Sequence, residues 1–367
     1  MKKIYFITPQ FKTGGGNRVF VELANCLVET QDITIVFPNN SPDRNTFNLN
    51  EGVKVMCLGE LAKKPWMKIL NLLKVFHYLN KYCRKDYVII TDPIMSLLGF
   101  LISAPQRYRF VQADDYRIFD DRLIVKNYIN LLFYKLLTRI SYHYHFTYIF
   151  NSEYTKKRFR DLLVFKGERY DGNKNIVHPA INHKIFKSLK YSCNSKESMI
   201  KVCLVARKHP WKGLDTFIEA FNYLPKEITA KLEVILVSHD DLESFNLPMS
   251  FTKVNPRSDE DIAVVYQSSE IFISTSWWEG FGLPPLEAMA CGCAVICSQS
   301  GGVDEYAVDD YNCLMFEPKD SISLAKKIEI LVSNKQLRYN LAVKGIETAQ
   351  KFSWDISSDN LLQILSK

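Results

Sequence analysis

Two glutamates flank a glycine-rich turn, and their chemistry suits a ligand that carries both hydroxyl groups and an anionic group. Glu279 precedes the turn Gly280-Phe281-Gly282, and Glu287 follows it in a short apolar segment. Glycine lets backbone N–H groups approach an anion closely, and the positive end of a following helix points at the same place. A carboxylate accepts two hydrogen bonds in one plane, which suits the vicinal hydroxyls of a sugar or a ribose.

The segments around this turn predict a βαβ unit. Ile271 to Ile273 has the composition of a buried strand, and a short apolar helix follows from about Leu286 to Ala290, ended by Cys291-Gly292. Ala294 to Ile296 is the next buried strand, so the turn lies beyond the carboxyl end of a strand, where open parallel sheets bind ligands. The alternative is an ordinary helix start with acids in its first turn, but Trp277-Trp278, which we expect to be exposed beside the turn, would then be unexplained.

A second glycine loop lies near the start of the chain. The strand Lys3 to Thr8 is followed by Gly14-Gly15-Gly16 and by a helix over Val19 to Val28, which is the arrangement that binds phosphate in doubly wound folds. A triple glycine is weak evidence by itself, because a tight turn explains it almost as well.

The spacing of Glu279 and Glu287 inside EGFGLPPLEAMACG resembles the E-x7-E signature of family-four (group 1) GT-B glycosyltransferases. The resemblance implies that Glu279 holds hydroxyls of the donor sugar and that Glu287 holds the ribose of the nucleotide. It also implies that the loop backbone binds the donor diphosphate, through Gly280, Phe281, Gly282 and Leu283 and, in the first loop, through Gly15 and Gly16.

Arg207 and Lys212 match the R-x4-K-G motif of the same family, whose cations neutralise the diphosphate as it leaves. Breaking a glycosyl–phosphate bond develops negative charge on the leaving oxygen, and preorganised cations there lower the barrier. The alternative is a pair of surface cations at a strand end. The resemblance implies transfer with retention at the anomeric carbon, without a metal ion or any other cofactor.

The chain departs from the family in one place that bears on the reacting sugar. Many members have a histidine after the strand that corresponds to Arg107 to Gln112, and this turn has none. The polar groups available there are Gln112, Asp114 and Asp115, which we assign to the acceptor or sugar side. The phrase FVQADDY is similar to the N-terminal domain of bacterial rhamnosyltransferases.

Asp259-Glu260-Asp261 contains a D-x-D sequence, which binds metal in another class of glycosyltransferases. Here it precedes an amphipathic helix, with Ser258 at the N-cap and acids in the first turn, as capping and the helix dipole favour. We therefore expect no metal site.

The implied fold is α/β: GT-B, two Rossmann-like doubly wound domains facing each other across a cleft. We expect an N-terminal acceptor-binding domain over residues 1–190 and a C-terminal donor-binding domain over residues 191–352. A polar linker is predicted over residues 187–198, and the last helix, residues 353–367, is expected to cross back to the first domain.

The charge is unevenly distributed between these halves. Residues 1–190 contain 30 Lys and Arg against 16 Asp and Glu, whereas residues 191–367 contain 17 against 24. Two basic, aromatic-rich helices are predicted, Lys63 to Lys85 and Leu123 to Tyr144, which could lie on an anionic membrane surface. In the first, apolar residues recur at helical spacing from Trp66 to Tyr82 and predict one apolar stripe. The alternative for the first is a surface helix packed on its own sheet, with solvated lysines.

Composition excludes several classes of protein. The nine cysteines follow no disulfide or zinc spacing, which favours free thiols in a reducing cytoplasm. MKKIYFITP is interpreted as a first strand rather than a secretory signal, and no apolar run is long enough for a transmembrane helix. The basic half contains no nucleic-acid recognition motif, so we expect no nucleic-acid partner.

These observations together predict a retaining hexosyl- or deoxyhexosyltransferase that uses a nucleotide-diphosphate sugar. Its acceptor is expected to be a glycan or a polyprenyl-linked saccharide in cell-surface polysaccharide biosynthesis, and its location the cytoplasm or the inner face of the cytoplasmic membrane. The alternative is a catalytically inactive partner protein or nucleotide-sugar-binding protein of the same fold. Such a protein would be expected to lose one of Arg207, Lys212, Glu279 and Glu287, and the chain has all four.

Overall fold

The protein is described by a computed structural model over residues 2–43, 45–104, 106–117, 127–142, 146–162, 175–189 and 199–366. The chain divides into two compact units, the first formed by Met1–Pro179 with Trp354–Lys367 and the second by Ala180–Ser353. The predicted boundary at residue 190 falls inside the second unit, because Ile181 and Phe186 are buried in the core of that unit. Most of the predicted linker, residues 190–198, lies outside the described residues.

The first unit alternates strands with helices around one parallel sheet. Its strands are β1 (Ile4–Ile7), β2 (Ile33–Pro38), β3 (Lys54–Leu58), β4 (Tyr87–Ile90), β5 (Arg107–Val111) and β6 (Thr147–Phe150). Its helices are α1 (Gly15–Leu27), α2 (Pro65–Tyr82), α3 (Pro93–Leu97), α4 (Tyr128–Ser141) and α5 (Glu153–Leu162), together with the last helix of the chain, Trp354–Leu365. The strands pair in parallel in the order β3-β2-β1-β4-β5-β6, which is a doubly wound arrangement.

Apolar strand sequences explain why this sheet is covered on both faces. All residues of β1 and β2 are buried, as expected for parallel strands with helices on either side. On one face, Phe76 and Leu79 of α2 pack in a core cluster with Tyr5 and Ile7. On the other face, the rings of Phe6 and Phe20 lie 4.5 Å apart, which joins β1 to α1. The last helix packs on α1, so the predicted return of the chain to the first unit is observed.

The second unit has the same plan. Its strands are β7 (Ile200–Val205), β8 (Leu232–Val237), β9 (Phe251–Val254), β10 (Ile271–Ser274), β11 (Ala294–Ser298) and β12 (Leu314–Phe316). Its helices are α6 (Leu214–Tyr223), α7 (Lys226–Thr229), α8 (Asp259–Ser268), α9 (Leu283–Ala290), α10 (Ser321–Ser333) and α11 (Lys335–Ala349), and the last helix of the chain is α12. The parallel sheet has the order β12-β11-β10-β7-β8-β9. The prediction of two Rossmann-like domains is therefore confirmed.

Strand order explains which loops lie side by side in the second unit. β7 and β10 are paired at the centre of the sheet. From β7 the chain builds outward through β8 and β9 to one edge, and from β10 it builds outward through β11 and β12 to the other. Such a reversal opens a crevice at the carboxyl ends of the two central strands. The loop after β7 contains Lys212, and the loop after β10 contains Glu279, so the topology brings these two distant segments together.

The two basic helices of the first unit expose large apolar side chains. The predicted apolar stripe of α2 divides into two faces: Phe76 and Leu79 are buried, whereas the other members are exposed, namely Trp66, Ile69, Leu70, Leu73 and Tyr82. The helix α4 occupies the described part of the predicted span from Leu123 to Tyr144, and residues 123–126 and 143–144 lie outside the described residues. Seven large apolar or aromatic side chains of α4 are exposed: Tyr128, Ile129, Leu132, Phe133, Tyr134, Leu136 and Ile140.

Candidate functional site

The turn after β10 is shaped by glycines that close packing requires. Gly282 is the N-cap of α9 with φ of 85°, and a Cβ atom there would lie 2.7 Å from Cγ1 of Val303. A Cβ atom on Gly302 would lie 2.4 Å from the carbonyl carbon of Gly280, so the loops after β10 and β11 touch backbone to backbone. The helix starts at Leu283, earlier than predicted, because prolines fit the first helical turn.

Lys212 and Glu279 form an ion pair at the carboxyl edge of the second sheet. Nζ of Lys212 donates to Oε1 of Glu279 at 2.5 Å, and their side chains are 24% and 15% exposed. The same ammonium lies 4.3 Å from the ring centroid of Trp211, so a carboxylate and an aromatic face both hold it. Two residues predicted to act on opposite ends of the glycosyl–phosphate bond are thus in contact.

The loops that contain these two residues are fastened to each other. The hydroxyl of Thr275 donates to the carbonyl oxygen of Lys212 at 3.0 Å. The backbone N–H of Trp277 donates to the carbonyl oxygen of Trp211 at 2.7 Å. The rings of Trp211 and Trp278 stack with centroids 4.4 Å apart and an interplanar angle of 17°. Trp278 is buried, so the prediction of exposed tryptophans beside the turn is wrong for this ring, which packs between the two loops.

Arg207 is held by a carboxylate that the sequence analysis did not single out. Nε of Arg207 and the backbone N–H of Lys208 both donate to Oδ2 of Asp240, at 3.0 and 2.8 Å. Partial burial raises the pKa of Asp240, but these two hydrogen bonds and the guanidinium charge outweigh it and hold the pKa below its ordinary value. The available signal was the polar run Ser238-His239-Asp240-Asp241 directly after a buried strand.

Glu287 lies one turn into α9 and is buried, with 3% of its surface exposed. Tyr306 was also missed by the sequence analysis, and its hydroxyl donates to the carbonyl oxygen of Gly282. Burial raises the pKa of Tyr306 well above its ordinary value, and the charges of Glu279 and Glu287 contribute in the same direction. Tyr306 therefore fixes the turn that lies between the two glutamates.

The glycine loop of the first unit is open rather than tightly packed. Gly15 is the first residue of α1, and a Cβ atom there would meet nothing within 4 Å. A Cβ atom on Gly16 would lie 3.6 Å from Oε1 of Gln112, which follows β5. The first unit thus brings Gly16 and Gln112 together. That these two residues bind the same donor as the second unit stays a prediction.

The three polar residues assigned to the acceptor side differ in what they can offer. Oδ2 of Asp114 accepts from Nε of Arg158 at 2.7 Å, and Oδ2 of Asp115 accepts from Nη2 of Arg109 at 2.6 Å. Both carboxylates are buried, and burial raises the pKa of Asp115 to about 6. The amide nitrogen of Gln112 is buried and has no hydrogen-bond partner among the described residues, so it retains donors for a ligand.

The acidic run Asp259-Glu260-Asp261 begins α8. The hydroxyl of Ser258 accepts from the backbone N–H of Asp261 at 3.4 Å, and Oδ2 of Asp261 accepts from the backbone N–H of Arg257 at 2.7 Å. The predicted N-cap is thus confirmed. No group of three or more His, Cys, Asp or Glu able to hold a metal ion occurs among the residues that the structure describes.

Residues 187–351 match the family model described as glycosyl transferases, group 1. The match begins seven residues after the start of the second unit and ends two residues before its end, so it contains all the site residues described above for that unit.

Two relatives illustrate how far the similarity extends. An uncharacterized glycosyltransferase of Methanocaldococcus jannaschii is 31% identical over 185 residues, covering 47% of this chain and 46% of that protein. The N,N'-diacetylbacillosaminyl-diphospho-undecaprenol alpha-1,3-N-acetylgalactosaminyltransferase of Campylobacter jejuni is 24% identical over 361 residues, covering 92% of this chain and 91% of that protein. The chain spans less than half the length of several curated relatives that it matches.

The whole chain has the fold of a known structure. Sucrose-phosphate synthase from Thermosynechococcus elongatus superposes with a TM-score of 0.78 at 19% identity, covering 99% of this chain and 98% of that one. At this identity the comparison bears on the fold alone. It agrees with the GT-B architecture predicted from the sequence.

Proposed function

We propose that this chain, whose residues 187–351 match the family model of the group 1 glycosyl transferases, transfers a sugar from a nucleotide-diphosphate donor to a glycan or lipid-linked saccharide. The contact that carries the proposal is the ion pair between Lys212 and Glu279, which joins a cation for the diphosphate to a carboxylate for the sugar. An inactive relative would have no reason to retain both partners in contact beside a glycine-rich turn.

The leaving group is the first requirement of the reaction. As the glycosyl–phosphate bond breaks, the diphosphate gains charge, and Arg207 and Lys212 are assigned to neutralise it. Both side chains remain partly exposed, at 39% and 24%, and so are accessible to a ligand. The backbone N–H groups of Gly280 to Leu283, at the start of α9, are assigned to the same diphosphate.

The sugar and the nucleotide are the second requirement. We assign Glu279 to hydroxyls of the transferred sugar and Glu287 to the ribose hydroxyls, because each carboxylate accepts a planar pair of hydrogen bonds. The bond from Lys212 orients the Glu279 carboxylate before the donor arrives, which removes part of the ordering cost of binding. In the first unit, Gly15, Gly16 and Gln112 are assigned to the diphosphate and the reacting sugar.

We further propose that transfer retains the anomeric configuration and proceeds without a metal ion. None of the carboxylates considered above is assigned as a nucleophile, since Glu279 is bound by Lys212 and both Asp114 and Asp115 are bound by arginines. This fits a transfer in which acceptor and leaving group share one face of the sugar. The cations Arg207 and Lys212 supply the positive charge that a metal would otherwise provide.

The proposed acceptor is lipid-linked, and the proposed location is an anionic membrane surface on the cytoplasmic side. One relative is named for a diphospho-undecaprenol-linked saccharide. Residues 61–85, around α2, contain seven Lys and Arg and no Asp or Glu, and α4 also lacks acidic residues. Among the described residues, no helix is both long and apolar enough to cross a bilayer. The exposed apolar residues of α2 and α4 support attachment at the surface.

The donor assignment is tested by a thermal-stability panel of nucleotides and nucleotide sugars, with and without EDTA. A ligand at 100 times its Kd stabilises the folded state by about 2.7 kcal/mol, which is readily measured as a shift in Tm. We expect stabilisation by one nucleoside diphosphate and its sugar conjugate, unchanged by EDTA. A chain that no member of the panel stabilises would contradict the proposal, and dependence on a divalent ion would contradict its metal-free part.

A further inference from the structure

Asp240 occupies an unexpected position for an acid, beside the proposed diphosphate site. A carboxylate repels a nearby anion, so its presence next to Arg207 should weaken donor binding unless it has another role. Asp240 is itself held in place, because its backbone N–H donates to the hydroxyl of the buried Ser238 at 3.0 Å. The carboxylate is therefore a fixed part of the loop after β8 rather than a mobile surface acid.

The contact with Arg207 uses only part of the guanidinium. Nε of Arg207 donates to Asp240 at 3.0 Å, and the Arg207 side chain has no second hydrogen-bond or ion-pair partner among the described residues. The two terminal nitrogens, which form the fork that binds phosphate groups in pairs, thus remain available. A side-on contact through Nε limits the rotation of the long side chain without occupying its outer edge.

We propose that Asp240 is a positioning residue that holds Arg207 through Nε, so that the terminal nitrogens of the guanidinium are preorganised for the donor diphosphate. This inference rests on the proposed function. A free arginine side chain has about 2 kcal/mol of rotamer entropy, which would otherwise be lost in each catalytic cycle. The depressed pKa of Asp240 means that the carboxylate stays charged throughout the neutral range.

Asp240→Asn tests the proposal, with Asp241→Asn as the matched control. Asp241 is the adjacent acid, its side chain is 64% exposed, and it lies 3.9 Å from Nζ of Lys208. For Asp240→Asn we expect kcat to fall about 10-fold or more, on the scale of a misplaced catalytic group, without a rise in the KM for the donor. KM should not rise because the substitution also removes a negative charge near the diphosphate. Asp241→Asn should stay within twofold of the wild type in both constants.

A double-variant comparison separates positioning from a merely structural role. If Asp240 acts through Arg207, then Asp240→Asn should cause no further loss of kcat in an Arg207→Ala background. An equal loss in both backgrounds would overturn the inference, as would an unchanged kcat in the single variant or a loss expressed only as raised KM. A wild-type chain that consumes no donor would overturn the proposed function itself, and the inference with it.

Discussion

At the scale of single residues, the proposed site is defined by two cations that are each held by a carboxylate. Lys212 is bound to Glu279 and Arg207 to Asp240, within one unit and at one edge of its sheet. A diphosphate leaving group would therefore meet positive charges that are already oriented. Preorganisation of this kind places charge stabilisation in the transition state, where it accelerates the reaction.

Removing either cation should reduce transfer without unfolding the protein. We expect Lys212→Ala and Arg207→Ala each to lower kcat about 100-fold or more, the scale on which losing one charge-stabilising donor acts. Neither side chain belongs to the apolar core, so Tm without ligand should remain close to that of the wild type. Turnover within a factor of two of the wild type, measured with saturating donor, would show that the diphosphate assignment is wrong.

Substitution of the two glutamates should have different effects, one mainly on turnover and the other mainly on nucleotide binding. Glu279→Gln should mainly lower kcat, because the side chain is assigned to the reacting sugar and is bound to Lys212. Glu287→Gln should mainly weaken binding of the bare nucleoside diphosphate, because the ribose does not change during transfer. Calorimetric titration of both variants checks this, and equal losses of nucleotide affinity would contradict the division of roles.

Contiguous motifs explain which site residues the sequence could reveal. Glu279, the glycine turn and Glu287 lie in one short segment, and Arg207 and Lys212 lie in another. Asp240 and Tyr306 were missed because their contacts join the ends of different strands. Nothing in the local sequence of Tyr306 shows that its hydroxyl reaches the carbonyl oxygen of Gly282.

At the scale of elements, the loop after β7 depends on one glycine. Gly213 has φ of 68°, and a Cβ atom there would lie 2.0 Å from the carbonyl oxygen of Thr275. We expect Gly213→Ala to destabilise the second unit by about 1–3 kcal/mol, the cost of a strained non-glycine residue in this conformation. Because Lys212 is adjacent, transfer should fall as well. A variant with unchanged Tm and unchanged kcat would show that this loop tolerates rearrangement.

The exposed face of α2 is the part of the first unit that we predict to bind anionic membranes. Each Lys or Arg near an anionic leaflet contributes about 1 kcal/mol, so several together can hold the first unit reversibly. We expect co-sedimentation with anionic liposomes to weaken with salt and when Lys63, Lys64 and Lys68, all exposed, become Glu. Trp66→Ala should also weaken it, since its ring is 54% exposed.

Three exposed lysines of the second unit provide the control for this charge reversal: Lys253, Lys326 and Lys335. Changing them to Glu alters the net charge equally and should leave liposome binding unchanged. Equal loss in both triple variants would indicate attraction by net charge alone. No binding to anionic vesicles would leave α2 and α4 as surface helices, or as a contact between copies of the chain.

Sequence periodicity could predict α2 but not how its apolar residues are divided. Residues recurring at helical spacing from Trp66 to Tyr82 formed a single predicted stripe. In the structure Phe76 and Leu79 are buried in the core, whereas Trp66 and Ile69 are exposed. The width of the face that a sheet covers depends on neighbouring elements, which the helix sequence does not contain.

At the scale of the whole molecule, two sheets with the same strand order place both glycine loops at carboxyl ends of central strands. Alternating apolar strands and amphipathic helices made this architecture predictable. The boundary between the units was harder to predict, because polar residues, Asn182 to Lys184, stand between Ile181 and Phe186, which are buried in the second core. A polar composition therefore predicts a linker only where the segment contains no apolar residues that are buried in one of the domains.

The central claim, transfer from a nucleotide-diphosphate sugar, is tested most directly by measuring nucleoside diphosphate release from a panel of donors in the presence of EDTA. Polyprenyl-linked saccharides serve as acceptors, and product formation is followed by mass spectrometry. We predict that one donor is consumed in step with a gain of one sugar by the acceptor, and that Lys212→Ala lowers this rate about 100-fold. Release of no diphosphate from any donor, or release that is equal in the wild type and Lys212→Ala, would contradict the account.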